Sequence, residues 1–230
     1  HAQELVRDGA DILDVGGEST RPGHIQITED EETERVVPVI ERLKQEFDTP
    51  ISIDTYKSRV AEAALQAGAD LVNDIWGLKY DPKMAGVIAK YDVACCLMHN
   101  REKAEYTDFL TDFMTDMEEC VTLAKKAGIS EDKIILDPGV GFGKTYEMNL
   151  EIIDKMECLN KLGYPVLLGT SRKSVIGLTL DLPVEEREEG TLVTTVYGVQ
   201  KGCAFVRVHD VKENKRAIMM TEAVLGRKDL

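Results

Sequence analysis

The sequence predicts an α/β protein, a (β/α)8 TIM barrel with seven βα units visible. Three observations carry that prediction. Seven short apolar runs each end in a polar, chemically useful residue followed by turn residues, and segments of helical character separate them. Strands alternating with helices give a parallel sheet. The helix-to-strand joints also share a form: Gly9, Gly68, Gly128 and Gly202 each stand where a helix C-terminus takes a left-handed residue. Finally, 230 residues suit one domain, 1–230, because closed α/β barrels run to about 200–250 residues as a single unit. A doubly wound seven-stranded sheet is the alternative. It draws ligand contacts only from strands at a switch point, whereas here every strand end carries polar groups.

The chain opens in a helical pattern, Ala2-Gln3-Glu4-Leu5-Val6, so the eighth strand is expected ahead of His1 and the domain is expected to be truncated there. Ile12-Leu13 then leads to Asp14. Acidic residues 28–32 open a helix over 30–47, with Thr28 and Glu31 spaced as a capping box. Ile51-Ser52-Ile53 leads to Asp54 and a helix over 58–67, and Leu71-Val72 leads to Asn73 and a helix over 82–90. Cys95-Cys96-Leu97-Met98 leads to His99 and a helix over 109–127; Ile134-Ile135-Leu136 leads to Asp137 and a helix over 148–162. Val166-Leu167-Leu168 leads to Thr170-Ser171. Acidic residues 184–189 read as the solvated first turn of a helix continuing over 191–201, and Phe205-Val206 leads to Arg207 and His209.

Composition narrows the function. A net charge of −14 repels nucleic-acid phosphates and anionic lipid, which argues against a nucleic-acid or membrane-surface role. The apolar stretches are far too short to span a bilayer, and no secretory signal is visible. Five cysteines without CxxC spacing read as small core residues of a reducing compartment, with Cys95 and Cys96 on opposite strand faces. A cytoplasmic protein is expected.

Chemistry concentrates in the loops. Asp14-Val15-Gly16-Gly17-Glu18-Ser19-Thr20-Arg21-Pro22-Gly23 brackets hydroxyls and a guanidinium with turn residues, the make-up of an anion-contacting loop. Residues 137–145 resemble a phosphate loop, but Pro138 stands where GxxxxGK[ST] needs Gly, so nucleoside triphosphate binding is a poor match. Asp137 can accept two parallel N–H bonds from an aminopyrimidine edge, and Asp54 and Asn73 add hydrogen-bonding groups. Singly, each is as well explained as a turn or helix cap; convergence at one barrel mouth favours function.

Late in the chain, Gly169-Thr170-Ser171-Arg172-Lys173-Ser174 and Val206-Arg207-Val208-His209 supply the opposite charge. Arg207 and His209 are two apart on a strand and point the same way. An inward Arg is costly unless it meets an anion. His24 and His99 stay ambiguous, and four scattered histidines make no metal cluster. A Ser-His-Asp site has little support, since Ser171 lacks a GxSxG context and no spacing ties it to His209. Acceptors for a planar nitrogen heterocycle and a cradle for an anion suggest group transfer with a phosphate leaving group.

At these residues the chain resembles the dihydropteroate synthases. The matching segments are 14–23, 53–55, 72–74, 97–99, 136–144, 171–174 and 206–209, in order along almost the whole chain. The resemblance implies an eight-stranded barrel, a homodimer and a Mg2+-dependent transferase of folate biosynthesis. It would join 6-hydroxymethyl-7,8-dihydropterin pyrophosphate to 4-aminobenzoate, and sulfonamides would compete. It also implies roles. Asp54, Asn73, Met98, Asp137 and Lys173 would hold the pterin, and Thr20, Arg21, Arg207 and His209 the pyrophosphate. Thr20, Pro22, Phe142, Ser171 and Lys173 would shape the 4-aminobenzoate pocket, and Thr20, Arg21, Lys173, Arg207 and His209 would carry catalysis. The family's Asn ligand for Mg2+ lies on the first strand and loop, outside this sequence, so the chain as given is expected to be weakly active. Two rivals stay open: the pterin-binding barrel of corrinoid methyltransferases, which has no need of the Arg207/His209 cradle, and a barrel that binds without catalysing.

Overall fold

Strand order follows chain order. Leu13–Gly16 (β1), Ile51–Asp54 (β2), Leu71–Asp74 (β3), Ala94–Met98 (β4) and Ile134–Asp137 (β5) pair in that sequence, each neighbour parallel. Leu167–Leu168 (β6) and Phe205–Val206 (β7) form a second parallel pair, linked to the first sheet by a bridge between Leu136 and Val166. The computed structural model, which describes residues 1–19, 23 and 25–227, thus winds in one direction. A doubly wound sheet would reverse its order at a switch point; this one does not.

Side chains alternate across the strands, and that alternation creates the site. Ile51, Ile53, Val72, Cys95, Leu97, Ile134 and Leu136 face outward into the main core. Their neighbours Ser52, Leu71, Asn73, Cys96 and Ile135 face inward and line a cavity of about 340 Å³. Cys95 and Cys96 therefore do part to opposite faces. Across the core lies Phe109–Lys126 (α5), whose buried Phe109, Phe113, Met117, Cys120 and Ala124 recur at helical spacing on one stripe.

The helices before α5 are Ala2–Arg7 (α1), Glu29–Glu46 (α2), Ser58–Gln66 (α3) and Met84–Tyr91 (α4). After it come Tyr146–Lys155 (α6), Ser174–Leu180 (α7), Glu188–Gln200 (α8) and Val211–Val224 (α9). All four joint glycines have the expected positive φ, from +88° to +111°. Thr28 caps α2 by accepting from the Glu31 N–H at 3.1 Å, but the Glu31 carboxylate pairs with Arg35. Only the Thr28 half of the predicted box is made.

Three expectations need correction. The helix predicted over 148–162 is α only to Lys155, and Met156–Leu162 tightens into a 3-10 helix ended by Gly163 at φ +83°. Residues 184–189 are not one helical turn: Val184–Glu186 is a separate 3-10 turn before α8. The prediction also omitted α7 and α9.

Seven strands lie among the described residues, and β1 and β7 share no ladder there. Side chains span the interval instead. Arg207 Nε donates to Asp14 Oδ2 at 2.5 Å and Lys215 Nζ to Asp11 Oδ2 at 2.8 Å. Leu13, Asp14, Phe205 and Arg207 line the cavity between these edges.

Candidate active site

Four of the residues singled out in the sequence stand at the C-terminal ends of consecutive strands, all in the inward register. Asp54 is the Cα partner of Asn73, and Met98 that of Asp137. Asp54, Asn73, Met98 and Asp137 are all buried. Catalytic groups of (β/α)8 barrels gather at this face.

Asp137 is shaped by its own turn. Its Oδ1 accepts from the Gly139 N–H at 2.7 Å. Burial pushes its carboxyl above the usual range, while the Lys173 ammonium and the Gly139 N–H pull the other way. Lys173 Nζ donates to the Val140 carbonyl and sits 4.9 Å from the centre of the Phe142 ring. Burial lowers this ammonium to about 8, with Asp137 opposing. Gly169 adjoins both groups: a Cβ there would lie 3.8 Å from Asp137 Oδ2 and from Lys173 Nζ, an ordinary contact distance.

Arg207 meets anions, but protein ones. Besides Asp14, it binds Asp54, with Nη2 donating to Oδ2 at 3.0 Å. The Asp14 carboxylate is the main cause that raises the guanidinium above its ordinary value. Burial, reinforced by Asp14, pushes the Asp54 carboxyl up to about 7 against the pull of Arg207. Asp54 Oδ1 is buried with no hydrogen-bond partner. An unpaired buried acceptor of this kind costs about 1–3 kcal/mol, so a donor from a ligand would relieve it. Asp14 had no role assigned from the sequence; it is the second residue of β1, in register with Ser52 rather than with Asp54, and Arg207 bridges that step between the two carboxylates.

His209 and Ser171 come together, contrary to the expectation that nothing ties them. Ser171 Oγ accepts from the His209 backbone N–H at 3.1 Å and lies 2.8 Å from His209 Nδ1. With the hydroxyl hydrogen directed at Nδ1, the neutral ring carries its proton on Nε2. Ser171 thus orients His209, a different task from a nucleophile's. Arg172, at φ +57°, pairs with Asp210 at 2.5 Å and fastens the β6 loop to the β7 loop.

An apolar lip completes the mouth: Tyr56, Ile75 and Met98 cluster with Trp76 and Phe142. The loop after β1 is rooted beside it. Lys57 Nζ donates to Glu18, Glu32 and the Ile27 carbonyl at 2.7–2.8 Å, and Tyr56 donates to Glu18. Nothing local in the sequence marked this buried triad, because its members are up to 39 positions apart. Thr20, Arg21, Pro22 and His24 lie outside the described residues.

His99, ambiguous in the sequence, is fully buried beneath the site. Its Nε2 lies 3.0 Å from Asp116 Oδ2 and its Nδ1 2.8 Å from Lys144 Nζ. Burial lowers His99 to about 4 and Lys144 to about 7. The lysine of the loop over 137–145 turns inward, to His99 and to carbonyls of its own loop.

Comparison with known proteins agrees with this geometry. The family described as "Pterin binding enzyme" matches residues 1–209. The dihydropteroate synthase of Clostridium beijerinckii is 59% identical over 228 residues, which cover 99% of this chain and 85% of that protein. A crystal structure of dihydropteroate synthase from Clostridium difficile, obtained in the presence of pteroic acid, superposes with a TM-score of 0.97 at 52% identity, covering 99% and 87% of the two chains. The Xanthomonas albilineans dihydropteroate synthase structure with 4-aminobenzoic acid gives 0.94 at 39% identity, covering 98% and 83%. The chain belongs to the pterin-binding enzyme family, among the dihydropteroate synthases.

Proposed function

We propose that this barrel mouth joins 6-hydroxymethyl-7,8-dihydropterin pyrophosphate to 4-aminobenzoate, giving 7,8-dihydropteroate and pyrophosphate. The observation that carries the assignment of the ring is the orphaned Asp54 Oδ1, set beside Asn73. Asp137 accepts from the aminopyrimidine edge, Asp54 and Asn73 meet the remaining ring nitrogens, and Met98 and Lys173 bound the ring. Arg207 and His209 face the leaving group. Arg207 already binds carboxylates through Nε and Nη2, so Nη1 is the edge offered to a phosphate oxygen.

Chemistry follows from charge. The bond from the pterin methylene to the pyrophosphate oxygen breaks, and its electron pair leaves with the pyrophosphate. The 4-aminobenzoate nitrogen supplies the new pair and then loses a proton. An aromatic amine is neutral at pH 7, so no strong base is required. Carboxylates around the ring stabilise the developing cation, and the Arg207 guanidinium with the His209 N–H stabilises the departing anion. Phe142, Ser171 and Lys173 border the incoming amine; by the family resemblance Thr20 and Pro22 join them, and Thr20 and Arg21 serve the pyrophosphate. Sulfonamides, as 4-aminobenzoate mimics, compete there.

Among the described residues, no three His, Cys, Asp or Glu side chains are grouped to hold an ion. Mg2+, implied by the family resemblance, would keep substrate phosphate oxygens and waters as ligands and would offset the leaving group's charge; no step is derived through it. A homodimer is proposed from Leu178, Leu180, Val193, Met219, Met220 and Val224, exposed on α7, α8 and α9. A cytoplasmic setting is proposed from five free cysteines and from the lack, among the described residues, of a helix long and apolar enough to cross a membrane.

The test follows pyrophosphate release with and without 4-aminobenzoate. Release should require it and match dihydropteroate formed, and Asp137→Asn should lower kcat/KM at least about tenfold, or about 1.4 kcal/mol. Methyl transfer to a corrinoid with no pyrophosphate released would overturn the assignment.

A further inference from the structure

The lysine of the loop over 137–145 is turned into the protein, where it grips the backbone that carries Asp137 and Phe142. Lys144 Nζ donates to the Gly139 carbonyl at 3.0 Å, to the Phe142 carbonyl at 3.0 Å and to His99 Nδ1 at 2.8 Å. An ammonium has three N–H donors, and all three are used. The Asp116 carboxylate can only accept. His99 is therefore the Nε2–H tautomer, passing its hydrogen to Asp116 on α5 at 3.0 Å. Asp116 is held in turn by Arg101 Nε at 2.6 Å.

Gly139 is the pivot. Its N–H holds the Asp137 carboxylate, and its C=O is held by Lys144. Phe142 is gripped the same way: its carbonyl by Lys144, its ring beside the Lys173 ammonium. The loops after β4 and β5 also press together at glycine, since a Cβ on Gly139 would come within 1.9 Å of the His99 carbonyl and one on Gly143 within 2.5 Å of the Arg101 carbonyl. Packing this close has a single good register, and Lys144 fixes it from below.

We infer that Lys144, anchored through His99 to Asp116, is a positioning residue that sets Asp137 and Phe142 in their substrate-binding places. This inference rests on the assignment of Asp137 to the pterin ring.

Lys144→Met keeps the length of the side chain and removes every donor. Trp76 is the single tryptophan and packs in the apolar lip, so its fluorescence reports binding of 6-hydroxymethyl-7,8-dihydropterin to the folded fraction. Lys144→Met should raise the pterin Kd about tenfold or more and raise KM for the pterin substrate more than it lowers kcat. Asp116→Asn, isosteric and remote from substrate, should raise the same Kd about threefold, and this variant decides the matter if Lys144→Met does not fold. A role in stability alone would lower Tm and leave the Kd of folded molecules within a factor of two; that result overturns the inference. Asp137→Asn separates the two claims. If it leaves Kd unchanged, the ring assignment fails. If it weakens binding while Lys144→Met and Asp116→Asn do not, only the positioning role fails.

Discussion

Asp54 holds two opposed demands in one side chain. Its Oδ2 accepts from Arg207, while Oδ1 is buried without a partner. In Asp54→Asn, the amide oxygen can still accept from Arg207, but the second position turns from acceptor into donor. The expected outcome is stability within about 1 kcal/mol of the parent together with at least a tenfold loss of pterin affinity, checked by urea unfolding and ligand titration. Asp54, Asn73 and Asp137 were legible because each ends an apolar run, a local signal. The Arg207–Asp14 pair was not, because its partners are 193 positions apart. Ser171 and His209, 38 apart, escaped for the same reason.

Elements were legible in proportion to how cleanly their buried faces are apolar. Helix α5 buries a phenylalanine and methionine stripe and was predicted within a residue of its ends. Helix α9 buries Asn214 and Thr221 instead, with Asn214 accepting from Thr195 of α8 at 2.7 Å, so its periodicity is masked by polar residues. Helix α7 has only seven residues and contains Gly177. Glycines give a comparison at this scale. Gly128 and Gly139 both have positive φ, but a Cβ on Gly128 meets nothing within 4 Å, whereas one on Gly139 strikes the His99 carbonyl. Gly128→Ala should cost about 1 kcal/mol, the left-handed penalty alone. Gly139→Ala should cost about 3 kcal/mol or more, because backbone must move. Thermal unfolding of the two variants side by side checks the difference.

The winding of the whole molecule was legible because seven strand ends carry the same signature, although the side-chain link between β1 and β7 left no local mark. Its acid response depends on groups buried inside. His99, lowered to about 4 from an ordinary 6.5, takes a proton in the unfolded chain before it can do so in the folded one. Its contribution is present above about pH 6.5 and lost as pH falls towards 4. A gap of roughly 2.5 in pKa, at about 1.4 kcal/mol each, makes that loss about 3 kcal/mol. Asp54, raised to about 7, acts oppositely, its contribution falling as pH rises from about 4 to 7. Comparing the parent with His99→Gln isolates the first effect: stability between pH 4 and 6.5 should fall less steeply in the variant, measured by urea unfolding at several pH values.

The Arg207 contacts also bear on how the chain assembles. Parallel neighbours β1 to β5 join segments a few tens of residues apart, whereas Arg207 reaches back to Asp14 across nearly the full chain. Loop-closure entropy rises with the length enclosed, and such distant contacts form only after nearer ones have shortened the effective loop. The guanidinium meets its carboxylates late in folding. A molecule in which Arg207 holds Asp14 is therefore one in which β1 and β7 have already found each other.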